Sequence, residues 1–152
     1  MRAIYFMFLP LLLAILGGII IIGYDLFLLK VQYTKLIEKG ACNFTYVFSN
    51  DLLWNIEIYR NMLKDKYWTD EGFDVVQSPY EILKKGGDCD DYALLLYCVA
   101  RRLGYEPHIY ASFIWDKESK KIVGHAFIKV NGVRYDLGGV MNDTVLMEIR
   151  LY

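Results

Sequence analysis

The sequence predicts an α+β protein with an N-terminal transmembrane helix, followed by helices and then an antiparallel sheet packed on one central helix. Three observations predict it. A long charge-free apolar run opens the chain. Helical spacing with matched caps follows, as far as Gly104. Beyond Gly104 the period changes to strand-like alternation rich in β-branched and aromatic residues. Helices first and antiparallel strands afterwards is the α+β order.

The apolar run is free of charged side chains from Ala3 to Tyr24, long enough to cross about 30 Å of hydrocarbon. Pro10 lies near its N-terminal end, where a kink is tolerable. A signal peptide has a core of only ~7–15 residues ending in small residues. Here the run is longer and no A-x-A pattern follows. Cys42 follows Gly-Ala, but Lys39 stands where a lipid-attachment signal wants a branched apolar residue. The expected arrangement is an uncleaved anchor and helical stalk over 1–41 and a folded domain over 42–152. Arg2 and the amino terminus flank one side of the span, and Lys30, Lys35 and Lys39 the other. That bias favours a cytoplasmic lysine side, yet compact domains after a single span are also exported, so both orientations stay open.

LKVQYTKLIEKG reads as the stalk, stopping at Gly40. Ser49, Asn50 and Asp51 offer N-caps to a helix with Leu52, Leu53, Ile56, Tyr59 and Leu63 on one side. A loop is expected over 67–77. SPYE, from Ser78 to Glu81, is a capping box with proline at the first helical position. Its short helix should end at Gly86-Gly87. Asp88 then caps a helix running to about Leu103 and stopped by Gly104. That helix is apolar around most of its girth and should be the buried centre. Strands are expected over 108–115, 121–130 and 144–152. Asn131-Gly132 is a two-residue hairpin signal.

Charge excludes one class of partner. The 152 residues carry a formal net charge of −1, with no basic stripe outside the stalk, so no nucleic-acid partner is expected. Three cysteines do not make a disulfide framework. Cys89 and Cys98 would lie on opposite faces of one helix, and Cys98 reads as a packing residue. Cys42 reads as a loop or stalk thiol. No C-x-x-C or H-x-x-x-H spacing marks a metal site, and no cofactor is expected.

Cys89 is different. It sits at the first turn of its helix, within GGDCDDYALLL. Unpaired N–H groups and the helix dipole there favour a thiolate, while Asp88, Asp90 and Asp91 oppose it. An imidazolium would resolve the conflict. His125 lies in KIVGHAFIKV. With a two-residue turn at Asn131-Gly132, Val130 faces Val133, and His125 and Asp136 become diagonal neighbours, roughly 6–8 Å apart at Cβ. Nucleophile, base and orienting acid would then be Cys89, His125 and Asp136.

GGDCDDYALLL, GHAFIKV and YDLGG, with SPYEIL upstream, together resemble the transglutaminase-like cysteine protease and amidase superfamily, over roughly 67–138. The resemblance implies a papain-like α+β fold and a Cys89–His125–Asp136 triad. It implies acyl transfer from a peptide or protein amide through a thioester, to water or to an amine. Asp88 and Asp91 would support the site. Val75-Val76-Gln77 departs from the aromatic residue that several members place before the proline. The oxyanion donors would be the Cys89 backbone N–H, with Gln77 or the Trp68 indole as candidate seconds. The alternative expectation is a non-catalytic peptide-binding module on the same fold.

Overall fold

The computed structural model describes residues 2–68, 75–117 and 119–152, with side chains from residue 12 onward except that of residue 44. Part of the expected 67–77 loop therefore lies outside the described residues. The fold is α+β: an N-terminal apolar helix, three further helices and a five-stranded antiparallel sheet.

Helix α1 (Arg2–Glu38) is one unbroken helix, so the segments expected as anchor and stalk form a single rod. It is long and apolar enough to cross a membrane. From Leu12 to Tyr24 the helix's side chains are largely exposed, as with Ile20 at 70%. Its second half belongs to the core. Leu29 and Tyr33 are buried, the Tyr33 hydroxyl donates to the Asp90 carbonyl (2.9 Å), and the Val76 N–H donates to Gln32 Oε1 (2.8 Å). Gly40 ends the rod with φ +80°, in the left-handed region glycine favours.

A 3-10 turn (Ala41–Phe44) follows, and it corrects the cysteine reading. Cys42 and Cys98 are joined by a disulfide, 56 positions apart in sequence. Cys98 is fully buried, so its apolar neighbours read as packing alone. The end of the rod folds back over the central helix and delivers Cys42 to it. Local spacing cannot show such a contact.

Helix α2 (Leu52–Leu63) is capped by Asp51, whose side chain accepts from the Trp54 N–H (2.8 Å). Leu52, Ile56, Tyr59 and Leu63 are buried as expected, but Leu53 is exposed. Asn55 takes the inward place. Its amide accepts from the Phe48 N–H and donates to the carbonyls of Ser49 and Asp51, which satisfies a buried polar group. Helix α3 (Pro79–Lys85) begins with the expected capping box between Ser78 and Glu81.

Helix α4 (Cys89–Arg102) is the centre. Every residue from Asp90 to Ala100 is buried, and Gly104 closes it with φ +85°. Strands β1 (His108–Asp116), β2 (Lys121–Val130), β3 (Val133–Asp136), β4 (Gly139–Val140) and β5 (Thr144–Arg150) form a sheet in the order β4-β3-β2-β1-β5. The turn between β2 and β3 has the expected register, with Val130 opposite Val133. Asn131 and Gly132 both have positive φ, as a type I′ turn requires. The main core lies between α4, the inner face of β1 and β2, and the second half of α1.

Candidate active site

Cys89 stands at the first position of α4, and the chain before it is shaped by the glycine pair. A Cβ on Gly86 would sit 1.8 Å from the Lys66 carbonyl oxygen, and its φ is +86°. A Cβ on Gly87 would sit 2.3 Å from Asp91 Oδ2. Gly86 thus admits the 66–68 segment, which forms a parallel bridge between Tyr67 and Gly87, and Gly87 admits the Asp91 carboxylate. The Gly87 N–H donates to Lys66 O, and the Trp68 N–H to Gly87 O (both 3.2 Å).

Asp91 holds this corner together. Its Oδ1 accepts from the Gln77 N–H (2.6 Å), and its Oδ2 from Gln77 Nε2 (3.0 Å) and the Asp88 N–H (3.2 Å). Burial pushes its carboxyl up to about 6, against those hydrogen bonds, which favour the anion. Asp88, Asp90 and Asp91 bring carboxylate oxygens within 4.8 Å of one another. Both Asp91 oxygens already face N–H donors, an arrangement suited to a structural carboxylate.

His125 lies on β2 and Asp136 at the end of β3. His125 Nε2 and Asp136 Oδ2 are 3.0 Å apart. The other carboxylate oxygen, Oδ1, accepts from the Gly138 N–H (2.7 Å), and the Gly138 carbonyl accepts from Arg60 Nη1 on α2 (3.0 Å). Asp136 is therefore held at both oxygens, and α2 steadies the loop that holds it. The Ser112 hydroxyl donates to the His125 carbonyl (3.1 Å), fixing the strand backbone on the other side.

Cys89 and His125 line two cavities together. One, of about 200 Å³, is shared with Asp136, Leu137, Gly138, Tyr67 and Tyr92. The other, of about 360 Å³, opens toward α1, between its residues Ile22 to Leu29 and the sheet. Cys89, His125 and Asp136 thus line one cleft, and Cys89 and His125 also line the larger cavity beside it.

The candidate donors Gln77 and Trp68 point elsewhere. Gln77 Nε2 donates to Asp91 and to the Gly86 carbonyl (3.3 Å). The Trp68 indole donates to the Lys85 carbonyl (3.3 Å). Both support the corner before Cys89. Tyr67 is a residue that sequence reasoning missed. It lines the smaller cavity, and burial, then the nearby Cys89, push its phenol up, so it stays a hydrogen-bond donor. Nothing local distinguishes it from the chain's other tyrosines. Also missed were the α1 residues Asp25, Leu26 and Leu29, which wall the larger cavity. The one visible signal was an aspartate interrupting an apolar run.

Comparison with known proteins adds little. No protein-family model matches the chain, and no curated protein matches it. Among solved structures it is similar to a "putative cysteine protease" from Cytophaga hutchinsonii, with a TM-score of 0.46 and 12% identity. That similarity covers 78% of this chain and 43% of the other.

Proposed function

We propose that the chain is a membrane-anchored cysteine hydrolase or acyltransferase acting on amide bonds. The observation that carries this is the His125–Asp136 pair, 3.0 Å apart, in the cleft that Cys89 shares. With Nε2 engaged by Asp136, Nδ1 is the imidazole nitrogen left to serve the thiol. His125 takes the Cys89 proton, and the sulfur attacks the amide carbonyl carbon. The first-turn N–H groups of α4 stabilise the oxyanion. As the C–N bond breaks, His125 returns the proton to the leaving amine. Water or a second amine then attacks the thioester, giving acid or new amide and restoring the thiol. Asp136 holds the tautomer and stabilises the imidazolium throughout.

The same reading places α1 across a membrane as a single anchor, with the folded part on the oxidising side. The Cys42–Cys98 disulfide supports that side, because thiols in a reducing compartment are kept reduced. The lysines after the span favour the other side only weakly.

The test uses membranes holding the full chain, treated with an alkyne-tagged iodoacetamide, with the modified residue mapped by mass spectrometry. Cys89 is expected to carry the tag, and Cys89→Ser to lose it. Unchanged labelling in Cys89→Ser would overturn the proposal.

A further inference from the structure

We propose that the larger cavity is a specificity pocket for a basic side chain of the substrate, a lysine-type alkylammonium beside the reacting amide. This rests on the cysteine acyl-transfer reading and adds what the site selects. Three observations support it. First, the cavity begins at Cys89 and His125 and runs to α1, with a volume of about 360 Å³. That is enough for a long side chain and part of its backbone. Its floor is open: a Cβ on Gly124 would meet no atom within 4 Å.

Second, its fixed charge is acidic. Asp25, Asp88 and Asp90 line it, no lysine or arginine does among the described residues, and His125, at the Cys89 end, is the one lining group that turns positive. Third, one carboxylate oxygen of Asp25 lacks a hydrogen-bond partner. Its Oδ1 is shielded from solvent and makes no hydrogen bond among the described residues, and it forms no ion pair there. A buried acceptor in that state is costly, and an incoming ammonium supplies the missing donor together with the opposite charge.

The remaining wall suits the stem of such a side chain. Leu26, Leu29, Phe113 and Met147 are apolar, and a lysine lays its methylenes on apolar surface while its head reaches a polar partner. The position of Asp25 agrees. It lies just past the charge-free run, at the level where lysines and arginines flank the spans of other membrane proteins. The occupant is therefore a basic residue next to the span of a neighbouring membrane polypeptide. An acyl chain would leave Asp25 buried against methylenes.

The test compares chloroacetamides carrying a six-carbon tail that ends in an ammonium, a methyl or a carboxylate. Each alkylates Cys89 of the full-length protein in phosphatidylcholine nanodiscs. The readout is the ratio of rates between probes within one preparation, so partial unfolding, which speeds all probes alike, does not mimic it. The ammonium probe should react about tenfold faster than the carboxylate probe. Asp25→Asn should bring the two within about twofold, and Asp25→Lys should reverse their order. A ratio unchanged by either substitution, or a methyl probe that reacts fastest, would overturn the proposal. So would an ammonium preference suppressed by phosphatidylethanolamine in the disc but not by an added lysine peptide, since the pocket would then serve a lipid headgroup. If no probe modifies Cys89, the acyl-transfer reading itself has failed. If all modify it at one rate, only the pocket has.

Discussion

At the scale of single residues, two aspartates in or near the cleft have opposite duties. Asp136 faces His125 and is fixed by Gly138. Asp136→Asn keeps the shape but favours the wrong imidazole tautomer. It should lower turnover of any amide substrate by about a hundredfold or more with little change in thermal stability. Equal turnover would deny Asp136 its role. Asp91 is structural, and its duty is visible in pH. Its folded value of about 6 lies above the 3.8 of a free aspartate side chain, so the folded state holds the extra proton between them. The stability from that proton is complete below about 4 and is lost as pH rises through about 6. Urea unfolding of wild type against Asp91→Asn should show this as a difference falling by on the order of 3 kcal/mol across the window. A flat difference would mean Asp91 stays ionised. Glu81 and Glu148, held below their usual range, slope the other way and cancel in the comparison.

At the scale of elements, the corner between α3 and α4 decides whether Cys89 is presented. Gly87→Ala would push a methyl into the Asp91 carboxylate; it should cost about 1–3 kcal/mol and slow Cys89 alkylation as well. Gly86→Ala would collide with the Lys66 carbonyl at positive φ and should cost more than Gly87→Ala. Denaturant midpoints check the order, and a harmless Gly86→Ala would contradict it. This corner also shows how far the sequence can be read. The capping box at Ser78 and Glu81, the stop at Gly104 and the Asn131-Gly132 turn act within a few residues, so local spacing reveals them. The His125–Asp136 contact follows from that turn alone, because a hairpin transmits register along its strands. Three features did not follow. Leu53 and Asn55 flank the buried face of α2, and Asn55 turns inward because the chain before the helix folds back to bond its amide through 48, 49 and 51, a contact that residue type does not reveal. The Cys42–Cys98 bond spans 56 positions. The second half of α1 packs into the core while its side chains from Leu12 to Tyr24 are largely exposed, and an apolar run reads the same for either.

At the scale of the whole molecule, α1 carries both the long apolar run and part of the folded core. Because Leu29 and Tyr33 are core residues, the proposed anchoring would hold the cleft at a fixed height above the span rather than let it swing on a tether. The disulfide strengthens the same junction. The 56-position loop that it closes is worth roughly 4 kcal/mol by chain entropy, so a Cys42→Ala/Cys98→Ala protein should unfold at markedly lower urea. Equal midpoints would show that the bond does not constrain the unfolded chain. On the proposed topology, protease added to intact cells or spheroplasts should remove a C-terminal tag, and a protected tag would place the domain on the reducing side. The most direct test of the central claim is the rate at which iodoacetamide alkylates Cys89 at neutral pH in the full-length protein and in His125→Ala. If an imidazole activates this sulfur, the substitution should slow alkylation by about a hundredfold. Equal rates would contradict the account.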